Sequence, residues 1–324
     1  MAYIFKSKVS SLLLVSASLF AGCSQTDIIG SKDSPNLNGD VISLTLSAPE
    51  IQTRADASHK LRYTAKLLKG NVDKGDIELV QKKQIIEGAT NTLVFEGVEE
   101  GVYTITLFAD YIPIATQPDA DGVYPDVYYD TSATEDIEMK SFGKTIINND
   151  NYDCFGTYIV LTKEAEEKRE SISLPRIVSK IRMTEKEPVG AETPTKVSIT
   201  NFSTFMSYKL TTGTASNPYN SVYKVDGGKW DVSPSDAASK ELFYFYSFST
   251  SNYKDALGQL IFSVEADGLT PVETAIAGGD IEIRPNYQIT VKGNFIPRKP
   301  EDPLTRTDRI LIDVSTISDW KNSD

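Results

Sequence analysis

From residue 41 onward the chain is built from short stretches in which apolar and polar residues alternate, and that alternation constrains the fold more than any other feature. Successive side chains of a strand point to opposite faces, so period-two patterning buries one face and wets the other. "VISLTLS" (41–47) sets Ile42, Leu44 and Leu46 against Ser43, Thr45 and Ser47. "LRYTAKLL" (61–68) alternates Leu61, Tyr63, Ala65 and Leu67. "IELVQKKQII", "TLVFEGV", "VYTITLFADYI", "DVYYDT", "IEMKSF" and "YIVLT" follow, rich in β-branched and aromatic residues and bounded by Gly, Asp, Asn or Pro. A second series begins at "SISLPRIVSKIRMT" and runs through "KVSITNF", "MSYKLTT", "SVYKVDGGKWDV", "LFYFYSFS", "GQLIFSVEA", "GGDIEIRPNYQITVKGNFI" and "RILIDVS".

About fourteen strands with almost no helix predict an all-β chain of two tandem antiparallel β-sandwiches, 41–170 and 171–324. "VDGGKW" (225–230) reads as a hairpin turn, its glycines supplying positive φ. "LFYFYSFS" carries aromatics on both faces and suits a strand buried between two layers. "KEAEEKRE" (163–170) lacks strand character and reads as a short solvated helix or linker. No short-period repeat is evident.

The start of the chain differs in kind. Lys6 and Lys8, an apolar run from Leu12 to Phe20, and the small pair Ala21-Gly22 make a secretory signal over residues 1–22, too short to span a bilayer. Phe20-Ala21-Gly22-Cys23 resembles a bacterial lipobox, in which the cysteine thiol takes a diacylglycerol and becomes the new N-terminus. Cys23 is then the lipidation site and residues 23–40 a flexible tether. Cleavage there removes two lysines and no acids, moving the formal net charge from −12 to −14. An acidic protein neither neutralises nucleic-acid phosphate nor binds anionic lipid, so attachment falls to the acyl chains. The expected location is the cell outer membrane, lipid-anchored, facing the surface or carried on fimbriae. The one other cysteine, Cys154, lies among apolar residues and reads as a buried small hydrophobe; with Cys23 lipidated, no disulfide framework is available.

Candidate chemistry is sparse. The single histidine, His59, lies in polar "RADASHK" and reads as a surface residue, which removes most histidine-based catalytic and metal schemes. No glycine-rich phosphate loop follows a strand and opens a helix. In "QPDADGVYPDVYYD" (117–130), setting Gly122 on the EF-hand glycine puts Asp119 and Asp121 at ligand positions. Gln117 and Tyr128 then occupy the first and last positions, where carboxylates belong, so an acidic surface loop is the better reading. No carboxylate pair stands out for glycoside hydrolysis. The chain is read as a non-enzyme with no cofactor and no metal.

Several segments, in order, resemble the fimbrillin-like lipoproteins of Bacteroidales, the type V pilus family. They are "GVYTITLFADYIP", "YYDT", "NNDNYDCFGTY", "SISLPRIVSKIRM" and, late in the chain, "IRPNYQITVKGNFI". The chain departs from the family pattern by Leu107 before Phe108-Ala109, with no Trp in that strand, and by Ser179 where Ala is usual. The resemblance implies two transthyretin-like sandwiches and a role as pilus subunit or cell adhesin. It also implies β-strand exchange: a protease cuts after a basic residue near the first strand, and a neighbour's strand fills the groove left behind. The matching position is Arg54, with Ala55 as the new N-terminus and Ile42, Leu44 and Leu46 on the released strand. "RILIDVSTISDW" (309–320), with Ile310, Ile312 and Val314, is either a donor strand or the last strand of its own domain. Partners would be other pilus subunits or a host or bacterial surface ligand. The alternative is an outer-membrane lipoprotein that binds glycan on exposed aromatics, with Tyr124, Tyr128, Tyr129 and Trp230 as candidates.

Overall fold

A computed structural model describes residues 39–49, 58–140, 143–186, 191–216, 223–224, 228–251, 255–299 and 311–316. The described chain is nearly all β. Its strands in the first half are β1 (Val41–Ser47), β2 (His59–Asn71), β3 (Asp76–Ile86), β4 (Thr92–Glu96), β5 (Gly101–Pro113), β6 (Tyr129–Asp130), β7 (Asp136–Met139), β8 (Cys154–Lys163) and β9 (Lys168–Ser173). The second half holds β10 (Val178–Glu185), β11 (Pro194–Phe202), β12 (Ser207–Lys209), β13 (Thr214–Ser216), β14 (Tyr223–Lys224), β15 (Trp230–Val232), β16 (Glu241–Phe248) and β17 (Asp255–Ala256). It closes with β18 (Leu260–Ala266), β19 (Val272–Ile276), β20 (Glu282–Ile283), β21 (Tyr287–Gly293) and β22 (Leu311–Thr316). These segments outnumber the expected fourteen chiefly because seven of them are only two or three residues long. Among the described residues no helix is long and apolar enough to cross a membrane.

Two sheets form the first sandwich: β3-β2-β5-β8, antiparallel throughout, and β4-β1-β9. In the smaller sheet β1 lies in the centre, antiparallel to β4 and parallel to β9. The alternation of β1 buries Ile42, Leu44 and Leu46 in one core with Leu61, Tyr63, Leu67, Ile105, Leu107 and Phe155. Each fully buried aliphatic of that size contributes about 1.5–3 kcal/mol. The charge run 163–170 is not helical. Its last residues open β9, where Lys168, Glu170 and Ile172 alternate with more exposed Arg169, Ser171 and Ser173. Charged side chains suit an edge strand that pairs on one side only.

The polar alternates of β2 do not face water. Residues 114–140 and 143–153 cross the outer face of the larger sheet, where Arg62, Lys66, Thr106 and Asp110 are buried. Lys66 donates to the Ala133 carbonyl and Lys82 to Thr131 Oγ1 at 3.0 Å. The same excursion supplies β6 and β7, which join β12 and β13 in a four-stranded sheet, so Tyr129, Ile137, Met139 and Tyr152 belong to the second core.

That second core lies between β16-β10-β21-β22 and β14-β11-β18-β19, with β15 also on β11. The strand plan repeats the first sandwich without any sequence period to announce it. β10, like β1, is flanked by an antiparallel strand (β16) and a parallel one (β21). β16 is buried on both faces, as its aromatics suggested: Phe243 and Phe245 meet Phe262 and Phe202, while Phe248 meets Tyr129 and Tyr208. "VDGGKW" is not a hairpin. The strands on either side of it, β14 and β15, both run antiparallel along the same edge of β11 and so are two pieces of one edge.

Candidate functional site

The first sequence-predicted site is the place held by β1. Its ladder runs from Val41↔Glu96 to Thr45↔Thr92 on one side and from Ile42↔Lys168 to Ser47↔Ser173 on the other. Both ends are pinned by backbone hydrogen bonds: Val98 N to Asp40 O (2.9 Å), Leu46 N to Asn91 O (2.8 Å) and Leu174 N to Ser47 O (2.8 Å). Ile42, Leu44 and Leu46 are buried, as the alternation requires. Lifting β1 out would leave a slot with an apolar floor and two unpaired strand edges, β4 and β9. An extended strand with apolar residues at every second position satisfies both requirements. Cys23, Arg54 and Ala55 lie outside the described residues, as does Ile310.

The segment holding Ile312 and Val314 forms β22, at the edge of its own sheet, antiparallel to β21 in the register Tyr287↔Thr316 to Lys292↔Leu311. In this arrangement it completes its own sandwich, the second of the two roles open to it from sequence.

The motifs that carry the family resemblance converge on the joint between the two cores, where Arg176 is the hub. Its Nε and Nη2 donate to Asp153 Oδ1 and Oδ2 at 2.7 and 3.1 Å, and its Nη1 donates to Asn286 Oδ1 at 2.7 Å. The guanidinium lies 5.0 Å from the centroid of Phe155. Asn286 holds positive φ (64°), a conformation Asn tolerates better than most residues. Gly156 donates to the Pro175 carbonyl at 2.9 Å, and a Cβ there would lie 2.6 Å from Leu210 Cδ2. Leu174 packs in the first core, Ile177 and Val178 in the second. Segments 153–156, 174–180 and 286 are therefore one structural unit, and Ser179, at the position of departure, is buried and within 2.7 Å of Ser249 Oγ.

The remaining candidates resolve individually. Asp119 Oδ1 accepts from the backbone of Asp121 (3.0 Å) and Val123 (2.8 Å), so that carboxylate closes its own turn. Among the described residues no group of His, Cys, Asp and Glu is arranged to hold a metal. His59 is half-buried rather than on open surface. Its Nε2 lies 3.0 Å from Tyr128 Oη and its Nδ1 2.7 Å from Ser58 Oγ. Tyr129 and Trp230 are core residues, and Tyr128 packs edge-on to Tyr152, so the four aromatics do not form one exposed platform. Cys154 is buried and unpaired by disulfide, and burial pushes its thiol well above the ordinary range.

One cluster was missed in the sequence. Arg62 Nε and Nη2 donate to Asp110 at 2.9 and 2.8 Å, its Nη1 lies 2.9 Å from Asp126 Oδ1, and it also reaches the Tyr124 carbonyl at 3.0 Å. Burial pushes Asp110 up to about 6 against the opposing pull of Arg62. Burial, with Lys82 next in effect, lowers Lys66 to about 8. The cluster fastens the 114–153 excursion to the sheet.

Residues 35–323 match a family of unknown function (DUF6562), and the chain belongs to it. No curated protein is significantly similar in sequence. Similar solved structures include the tip fimbrial protein Mfa3 from Porphyromonas gingivalis, at 12% identity, 85% of this chain, 98% of that one and a TM-score of 0.44. A fimbrial assembly protein from Parabacteroides distasonis matches at 15% identity, covering 86% and 96%, with a TM-score of 0.43. A Bacteroides thetaiotaomicron protein assigned as polysaccharide-binding matches at 13% identity, covering 81% and 98%, with a TM-score of 0.45. These descriptions are of fimbrial and polysaccharide-binding proteins, not enzymes.

Proposed function

We propose that this DUF6562 member is a surface subunit of a pilus or adhesin, built of two sandwich domains (41–170 and 171–324) and activated by release of β1. In this reading it reaches the outer membrane on a lipid at Cys23. A cut after Arg54, in the segment joining β1 to β2, then frees Ile42, Leu44 and Leu46 together with the anchor. A strand from another subunit takes the vacated place, and the 309–320 segment, with Ile310, Ile312 and Val314, is the candidate donor. The observation that carries this is topological. β1 is at once the centre of its sheet and, among the described residues, the first strand. One cut before β2 therefore severs it completely while leaving every other strand connection intact. The role is of the same kind as the fimbrial descriptions above, and it rests on this chain's own residues.

The test is the N-terminus of the mature protein from native cell surfaces, read by mass spectrometry. The expected result is a chain beginning at Ala55, found in SDS-resistant ladders that vanish in Arg54→Ala. A chain that always begins at acylated Cys23 and never multimerises would overturn strand release.

A further inference from the structure

Strand edges with free N–H and C=O groups invite pairing, and proteins blunt them with charge, bulges or covering segments. Most long edges here are blunted. β3 carries a bulge at Val80 beside Lys82 and Lys83, and β9 carries Lys168, Arg169 and Glu170. The edge of β16 is covered, with Tyr244 O and Phe248 N bonded to Asn148 N and Phe205 O. β8 is different. From Cys154 to Thr162 ("CFGTYIVLT") it holds no charge and no proline, and its register with β5 runs without a bulge.

The direction of its backbone groups follows from the joint. Gly156 N bonds to Pro175 O and Ile177 N to Cys154 O, both away from β5. Backbone groups alternate sides along a strand, so Tyr158, Val160 and Thr162 also turn their N–H and C=O groups away from β5. Among the described residues no strand pairs with them there. Beside this edge, on the outer face of the sheet, stand two exposed valines: Val160 (38% exposed) and Val102 (41%), the latter paired with Thr162.

We propose that the β8 edge is an interface between two copies of this chain, paired antiparallel about a two-fold axis at Val160. The free window is bounded by covered Gly156 and by the end of the strand at Lys163, and Val160 is its midpoint. Antiparallel pairing there sets Val160 against Val160, and Tyr158 against Thr162 of the second copy, in three hydrogen-bonded pairs that exchange two bonds each. Every side chain in those pairs is uncharged, and the adjoining Lys163 is buried with its amine on the Glu164 and Glu166 carbonyls. The contact joins two four-stranded sheets into one of eight and leaves the β1 slot untouched, so it does not depend on strand release.

The experiment uses the chain from Ser24 to Asp324, which contains the whole compact unit from Leu37 onward. Sedimentation equilibrium should show a monomer–dimer association. Val160→Pro removes an edge-facing N–H without touching the ladder to β5, and Val160→Lys opposes two like charges at the axis. Each should weaken association by about tenfold or more at unchanged thermal stability. Val160→Cys should form an intermolecular disulfide on mild oxidation, since facing residues of such a pair lie about 5.5 Å apart at Cα. Val94→Cys, exposed on the other sheet, should not. A wild-type chain that stays monomeric, or a dimer of equal strength in both the Pro and Lys variants, would overturn the interface.

Discussion

The two sandwiches place a strand in the same position and hold it in different ways. β1 and β10 are each the first strand of their half, each central in a sheet, and each flanked by one antiparallel and one parallel neighbour. They are equally buried: Ile42 and Leu44 match Ile181 and Met183, all without exposure. What separates them is connectivity. β10 has folded chain on both sides, entered through the Arg176 joint, so no single cut can release it. Among the described residues β1 is the first strand, and the rest of the fold follows it in the chain. Under the proposed strand release, exchangeability would follow from the covalent path, since the two strands do not differ in burial. The second sandwich also has a fourth strand, β22, beside β21, whereas among the described residues no strand pairs with the outer, charged edge of β9.

The harshest test of that contrast is the joint. Arg176→Met strands Asp153, a buried carboxylate, without its partner, and breaking such a pair costs about 3–5 kcal/mol. Denaturant unfolding should show that loss. An unchanged midpoint would mean that β10 is not fastened through the joint, and the contrast with β1 would collapse.

Next in size are paired core truncations. In the intact chain, Leu44→Ala and Ile181→Ala should each cost about 2–5 kcal/mol. In a chain cut between β1 and β2 and stripped of β1, Leu44 is gone, and only the Ile181 substitution still costs stability. Measuring both backgrounds by denaturant unfolding separates the releasable strand from the permanent one.

A pH test addresses the outer face of the first sandwich. Lys66, held at about 8 in the folded chain, sits below its ordinary value in the unfolded one, so the unfolded state binds more protons between about 8 and 10.5. Stability should therefore rise with pH through that window. Lys66→Met should remove the slope, raising stability at neutral pH and leaving it unchanged at strongly alkaline pH. The smallest effect expected is on monomer stability in Val160→Lys, within about 0.5 kcal/mol, since that side chain lies on the surface.

Much of this architecture is legible in the residues, and the illegible parts share a cause. Where one face of a strand meets a core and the other meets solvent, alternation shows it, as at β1, and β16 betrays its double burial by aromatics on both faces. Arg62, Lys66 and Asp110 alternate in the same way and read as solvent-facing, yet they are covered by a segment 50 or more residues further along or by one another's partners. Tyr129 and Trp230, candidates only under the glycan-binding alternative, fill the second core. Nothing local in "KRESIS" states that it lies parallel to residues 42–47. Of the candidate residues, the buried face of β1 could be named from alternation, while the joint emerged only when the motif residues met in space.

The parallel pairing of β1 with β9 also has a mechanical side. In the uncut chain the only covalent route from the folded body to residue 23 runs through β1. Were the chain held at Cys23 as proposed, any load between the cell and the folded body would pass through that strand. Its ladder bonds lie across the strand, so the component of such a load along β1 would bear on both ladders at once. The element that proteolysis would discard is, until then, the tow-line.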